Sequence, residues 1–305
     1  MEPRLFADRL WPGKRVELEE LGGGITNRNY KATVDGESFV VRIGGKDTHL
    51  LGIDREVEHA ASLAAAEAGV GPEVVAFVEP EGWLVTRFVE GRPVPPEQMR
   101  EPAWIERAAA TIRAFHEQPR IPGRFDSFRV VEGYREIAER HGVRIPDTYG
   151  WAKERADEIE RVRGAVPECP CHNDLLNANF IAHGRGLRIV DWEYAGMGDR
   201  FFDLANFSVN HELAESENEA LLRAYFGETR GAELARLRLM RFMSDFREAM
   251  WGVVQQGISE LDFDFDGYAG QHFERLEQAG GDPAFAEALA AVAKSGPPPV
   301  TRARV

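Results

Sequence analysis

One short stretch limits this chain more than any other: Cys171-His172-Asn173-Asp174-Leu175-Leu176-Asn177-Ala178-Asn179. It carries His, Asp and Asn in the spacing H-x-D-x-x-x-x-N. That spacing suits phosphoryl transfer, in which an acid accepts a hydroxyl proton while a nearby amide oxygen holds magnesium on the phosphates. Asp174 fits the first role, Asn179 the second, and His172 would brace the loop. After Asn179 come an apolar run (Phe180 to Ala182), a turn (His183-Gly184-Arg185-Gly186) and a second run (Leu187 to Val190), a hairpin signature that would deliver Asp191 as a second metal carboxylate. A His-x-Asp in a polar loop also serves simply to cap a helix. The Asn at its offset, with the hairpin ending in Asp191-Trp192-Glu193, favours the phosphotransfer reading.

Composition narrows the partner. With 305 residues and 43% hydrophobic content, the chain can build one large or two medium cores. A net charge of −14 argues against nucleic acid or an anionic membrane as the main partner and suits a cationic small molecule. The two cysteines, Cys169 and Cys171, make neither a framework disulfide nor a zinc site by their spacing, so a reducing cytoplasm is the expected home. The beginning of the chain has no long apolar run, so neither a signal peptide nor a membrane span is expected.

The N-terminal part reads as β structure. Leu18 and Leu21 lead into Gly22-Gly23-Gly24-Ile25-Thr26-Asn27-Arg28-Asn29, and two strands follow around the tight turn Asp35-Gly36. Glycines in a hairpin loop let backbone N–H groups approach phosphate oxygens, although a Gly triplet also makes a flexible turn. Arg42 on the returning strand favours the phosphate reading. A helix opens at Ile53-Asp54-Arg55-Glu56 and ends near Ala68 and Gly69. Glu56 near its start is the expected partner of Arg42. A further hairpin runs from Val74 to Phe88, and Val89-Glu90-Gly91-Arg92-Pro93 then breaks the pattern as a hinge. Beyond it the chain is mostly helical, with segments at 104–116, 134–141, 151–162, 213–226, 232–257 and 268–278. His116 reads as a packed or capping histidine, and the Pro-rich end as a disordered tail.

Taken together, Gly23-Gly24-Ile25-Thr26-Asn27, Val41-Arg42-Ile43, Ile53-Asp54-Arg55-Glu56, His172-Asn173-Asp174 with Asn179, Asp191-Trp192-Glu193-Tyr194-Ala195-Gly196 and Phe202-Asp203-Leu204-Ala205-Asn206 resemble the choline/ethanolamine kinase family. The likeness runs from about residue 18 to 275 in the family's order and spacing. It implies an α+β, protein-kinase-like two-lobed fold: a small β-rich nucleotide-binding lobe over 1–88, a larger, mostly helical lobe over 89–294 and the disordered tail over 295–305. It also implies ATP and Mg2+, with transfer of the γ-phosphate to an alcohol. Asp174 would then be the base, with Asn179 and Asp191 as magnesium ligands and Glu193 an outer contact. Gly22, Gly23, Gly24, Thr26, Asn27, Asn29, Arg42 and Glu56 would face the nucleotide phosphates, and the backbone around Phe88 and Val89 the adenine.

The family holds its quaternary ammonium in an aromatic box lined with acid, and Trp251 and Tyr268 fall at matching places. Two positions differ from the family's pattern. Glu248 stands where a second tryptophan is expected, one helical turn before Trp251. Asn210 stands where an acid is expected, with Glu212 close by. The resemblance therefore implies choline or a related amino alcohol as acceptor. Another cationic alcohol, such as an aminoglycoside or thiamine, is the alternative, as is a nucleotide-binding pseudokinase, which commonly lacks one member of the Asp174, Asn179 and Asp191 set.

Overall fold

The computed structural model describes residues 3–22, 27–184, 186–227 and 231–296. Helix α1 (Pro3–Leu10) precedes an antiparallel sheet of β1 (Val16–Leu21), β2 (Asn27–Val34), β3 (Glu37–Gly44), β4 (Val74–Val78) and β5 (Trp83–Arg87), in the order β1-β2-β3-β5-β4. Alternation builds this sheet: Tyr30, Ala32 and Val34 of β2 and Phe39 and Val41 of β3 are buried at every second position. Phe6 of α1 closes that core, 5.3 Å from the ring of Tyr30 and 6.2 Å from that of Trp83. The sequence reading contained no α1.

Helix α2 (Arg55–Glu67) connects β3 to β4, and Asp54 caps it by accepting from the N–H groups of Glu56 and Val57. The linker after β5 is pinned by pairing. Its short strand β6 (Arg92–Pro93) lies against β8 (Phe180–His183), and a Cβ at Gly91 would stand 2.1 Å from the carbonyl oxygen of Ala182. The position therefore accepts only glycine.

The rest is helical around a small set of strands. Helices α3 (Pro96–Met99), α4 (Pro102–His116), α5 (Ser127–Arg140) and α6 (Thr148–Arg163) lead to β7 (Cys169–Cys171), then the hairpin β8 (Phe180–His183) and β9 (Gly186–Ile189), and β10 (Gly196–Gly198), which pairs with β7. Helices α7 (Arg200–Asn210), α8 (Glu215–Phe226), α9 (Gly231–Ile258), α10 (Phe265–Gly281) and α11 (Pro283–Ser295) complete it. Helix α9 is the axis of this part, packed against α5, α7, α10 and α11. Among the described residues, no helix is long and apolar enough to cross a membrane.

The expected helix at 134–141 is the second half of α5, and α11 was not foreseen. Ser295, assigned to the tail, closes α11 and takes a hydrogen bond from Arg236 at 3.2 Å. Residues 297–305 lie outside the described residues.

Candidate active site

The loop between β7 and β8 is held from three sides. Asp203 and Asn206, one turn apart on α7, face it from below. The Asp203 carboxylate accepts from the backbone N–H of His172 at 2.8 Å and of Asn173 at 2.6 Å, and Asn206 Oδ1 accepts from that of Leu175 at 2.5 Å. Asn173 adopts a left-handed conformation, φ 66°, which turns the chain so that Asp174 follows. His172 supplies the second support: its Nε2–H donates to the carbonyl of Val190 at 3.1 Å, and its Nδ1 accepts from the N–H of Asp174 at 3.2 Å. Burial lowers the pKa of His172, so the imidazole is neutral with its proton on Nε2. The Val190 N–H donates to the Asn179 carbonyl at 3.0 Å, so the hairpin returns beside the loop and places Asp191, φ 70°, next to it.

A cleft of about 380 Å³ runs between the sheet and this loop. Its lining includes Gly22, Asn29, Arg42, Phe88, Val89, Asn179 and Asp191. That volume lies in the usual range for a small-molecule site. Asn29 Oδ1 is buried with no hydrogen-bond partner among the described residues, and Lys31 lies 4.2 Å over the ring of Phe88. Gly23, Gly24 and Thr26 lie outside the described residues.

Arg42 hydrogen-bonds both Asp191 and Glu58, the latter at 3.0 Å. Glu56, expected in that place, is exposed. The helix explains the correction: residues two apart differ by about 200° around the axis, so when Glu58 faces the sheet Glu56 faces solvent. Burial disfavours the charge on Arg42, but Asp191, Glu58 and Glu193 outweigh it and raise its pKa. The same guanidinium lowers the pKa of Asp191 against the effect of burial. Glu193 is held by Asn27 Nδ2 at 2.7 Å, with Arg55 at 3.6 Å. Arg55 also donates to Glu58 at 2.6 Å and to Asn27 Oδ1 at 2.8 Å. This network ties the sheet and α2 to the strand-end carboxylates.

On the far side of Asp174 stands α9. Arg247 donates to Asp174 Oδ1 from both terminal nitrogens at 3.2 Å, to the Asn173 carbonyl at 2.8 Å, and to Glu248. Burial pushes the Asp174 carboxyl up to about 7, although Arg247 pulls it down. Glu248 also accepts from the Tyr268 hydroxyl at 2.8 Å. Trp251 donates from Nε1 to the Tyr194 hydroxyl at 3.1 Å and meets the ring of Tyr268 edge-on at 5.5 Å.

The fold thus brings Glu248, Trp251 and Tyr268 into one group adjoining Asp174. Asn210 closes α7 and Glu212, just beyond it, is exposed and 3.9 Å from Arg100, while Glu248, one helical turn before Trp251, is the acid bonded to Tyr268. The sequence reading missed Arg247, Tyr194 and Glu58. Local sequence did not mark them: Arg247 stands in the mixed stretch Ser244-Asp245-Phe246-Arg247-Glu248-Ala249-Met250.

His116 is buried. It donates to Asp203 from Nε2 at 2.9 Å and bonds the Tyr225 hydroxyl through Nδ1 at 2.7 Å. It shares its pocket with the free thiols of Cys169 and Cys171, whose sulfurs are 3.7 Å apart.

Comparison with known proteins finds relatives in sequence and in fold. The family described as "Phosphotransferase enzyme family" matches residues 17–239. Protein LicA of Haemophilus influenzae is 26% identical over 276 residues, covering 84% of this chain and 77% of that protein. Human ethanolamine kinase 2 is 26% identical over 312 residues, covering 88% and 78%. The crystal structure of a choline/ethanolamine kinase family protein from Mesorhizobium loti superposes with a TM-score of 0.82 at 33% identity, over 95% of this chain and 97% of that one. An aminoglycoside phosphotransferase, APH(4)-Ia, shares the fold at a TM-score of 0.66 and 16% identity, over 92% of this chain and 100% of that one. The chain belongs to the phosphotransferase enzyme family, and within it to the choline/ethanolamine kinases, enzymes that phosphorylate an alcohol.

Proposed function

We propose that this protein transfers the γ-phosphate of ATP to the hydroxyl of choline or a related amino alcohol. The observation that carries the proposal is the position of Asp174. It lies between the cleft that Asn179 and Asp191 line and the group formed by Glu248, Trp251 and Tyr268. Oδ2 of Asp174 has no partner among the described residues, which suits the acceptance of a hydroxyl proton. Arg42, kept charged by Asp191 and Glu58, suits a role on the phosphates.

The donor set supports magnesium. Asn179 spends its Nδ2 on the Asp174 carbonyl at 2.9 Å, which leaves its amide oxygen as a donor atom in the cleft that the Asp191 carboxylate also lines, a hard-oxygen pair suited to a hard cation. Magnesium bound there would neutralise charge on the β- and γ-phosphates. Phe88 and Val89 suit the adenine at the outer end of the cleft. Two free thiols and the use of ATP support a cytoplasmic home.

A cation fits the other side. Trp251 and Tyr268 offer aromatic faces, each contributing ~0.5–2 kcal/mol to a bound cation, and Glu248 adds negative charge. Acceptor-dependent ADP release across choline, ethanolamine, their methylated intermediates, an aminoglycoside and thiamine tests the proposal. An amino alcohol should give the highest kcat/KM. An aminoglycoside or thiamine as best substrate would move the protein to the neighbouring specificity.

A further inference from the structure

We infer that Arg247 is a positioning residue for phosphoryl transfer, fixing Asp174 by one carboxylate oxygen so that the other is presented to the acceptor hydroxyl. The inference rests on the reading of Asp174 as the base.

Arg247 is 1% exposed on α9, beside Glu248 and flanked by the buried apolar side chains of Phe246, Ala249 and Met250. Burying a guanidinium costs several kcal/mol unless its donors are used, and an apolar residue would pack this helix at least as well. Its donors converge on the catalytic loop. Both terminal nitrogens reach Oδ1 of Asp174 at 3.2 Å, and one of them also reaches the carbonyl of Asn173 at 2.8 Å. The N–H of Asn173 is taken by Asp203 at 2.6 Å. Asp203 and Arg247 therefore grip the left-handed residue from its two ends, one from α7 and one from α9.

The fork is itself fixed. Glu248 accepts from it on one side, and the ring of Tyr194 lies 4.7 Å from its central carbon. Its Nε is buried with no hydrogen-bond partner among the described residues. Both hydrogen bonds from Arg247 to the Asp174 carboxylate fall on Oδ1, which selects one orientation of it. A lysine carries a point charge on a flexible stem and cannot hold these three acceptors in one plane.

The test uses the full chain with Arg247→Ala and Arg247→Lys, and Asp174→Asn in parallel. Misplacing a base by an ångström costs on the order of 10²-fold, and that is the expected fall in kcat for both arginine variants. ATP affinity by calorimetry should stay within about threefold, because Arg247 does not line the nucleotide cleft. Guanidinium ion at ~10 mM, far below denaturing concentrations, should restore about tenfold of the lost kcat in Arg247→Ala and leave the wild type unchanged. A merely structural arginine would lower the folded fraction without a kcat effect that guanidinium repairs.

Folding is followed by thermal melting. If Arg247→Ala does not fold, Arg247→Lys, which keeps the buried charge, decides on kcat against ATP affinity. A folded variant with kcat within about threefold of wild type overturns the inference, as does an equal loss of ATP affinity and kcat without rescue. Loss of activity in Asp174→Asn alongside active arginine variants sinks only the inference about Arg247. Full activity in Asp174→Asn removes the reading of the base on which it rests.

Discussion

Asp203 and His116 form a buried pair, 2.9 Å from carboxylate oxygen to Nε2, directly beneath the loop that carries Asp174. Burial raises the pKa of Asp203, but His116 and the N–H of His172 outweigh it and lower it. Burial lowers that of His116, but Tyr225, Cys169 and Asp203 outweigh it and raise it. The carboxylate contributes stability above its unfolded pKa of about 3.9, lost as pH falls through the lower folded value. The imidazolium contributes fully below about pH 6.5, and that part is lost as pH rises through the higher folded value. Asp203→Ala should therefore cost ~3–5 kcal/mol in denaturant unfolding at about pH 5.5, and less at about pH 9. An equal loss at both values would mean that the pair carries no linked charge.

Glu58, not Glu56, orders Arg42. Glu58→Gln should lower kcat/KM for ATP by about tenfold or more, since a buried charged partner is removed. Glu56→Gln, on the exposed face of α2, should change stability by no more than ~0.5 kcal/mol and leave kinetics intact. Steady-state kinetics of the two variants side by side separates the helix phases; a larger effect at Glu56 would contradict the structure.

Asp191→Ala should weaken the Mg2+-dependent part of ATP binding as well as the rate. A carboxylate on the metal that bridges the phosphates acts on both. ATP titrations with and without Mg2+ check this, and an unchanged Mg2+ enhancement would remove Asp191 from the ligand set.

As the proposed base, the Asp174 carboxyl, raised to about 7 by burial and moderated by Arg247, should give the reaction its acid limb. A general base works only when ionised. With choline, whose ammonium does not titrate, kcat/KM should rise with pH through a midpoint near 7. A midpoint near 4 would place Asp174 in a far more solvated setting than the one observed.

What the sequence made legible was local. His172, Asp174, Asn179 and Asp191 are separated by loop and hairpin chemistry that spacing alone encodes, and the hairpin β8–β9 forms close to where its glycines place it. The two-layer split between sheet and helices follows from alternation before Arg87 and helical periodicity after Pro102. Long-range partners were not legible in the same way. Arg42 meets Glu58 rather than Glu56 because the rotation of α2 is fixed by the Asp54 cap and the packing of Ala61 and Ala65, a tertiary outcome. Arg247 meets Asp174 across 73 residues, and nothing local to α9 says which face of that helix the loop will take.

The most direct test of the account is acceptor-dependent phosphorylation by Asp174→Asn against wild type, with ATP binding measured on the same preparations. The account predicts a fall in kcat of ~10²–10⁴-fold with ATP affinity nearly unchanged. Retention of more than about a tenth of wild-type kcat, below even the low end expected for a general base, would contradict it.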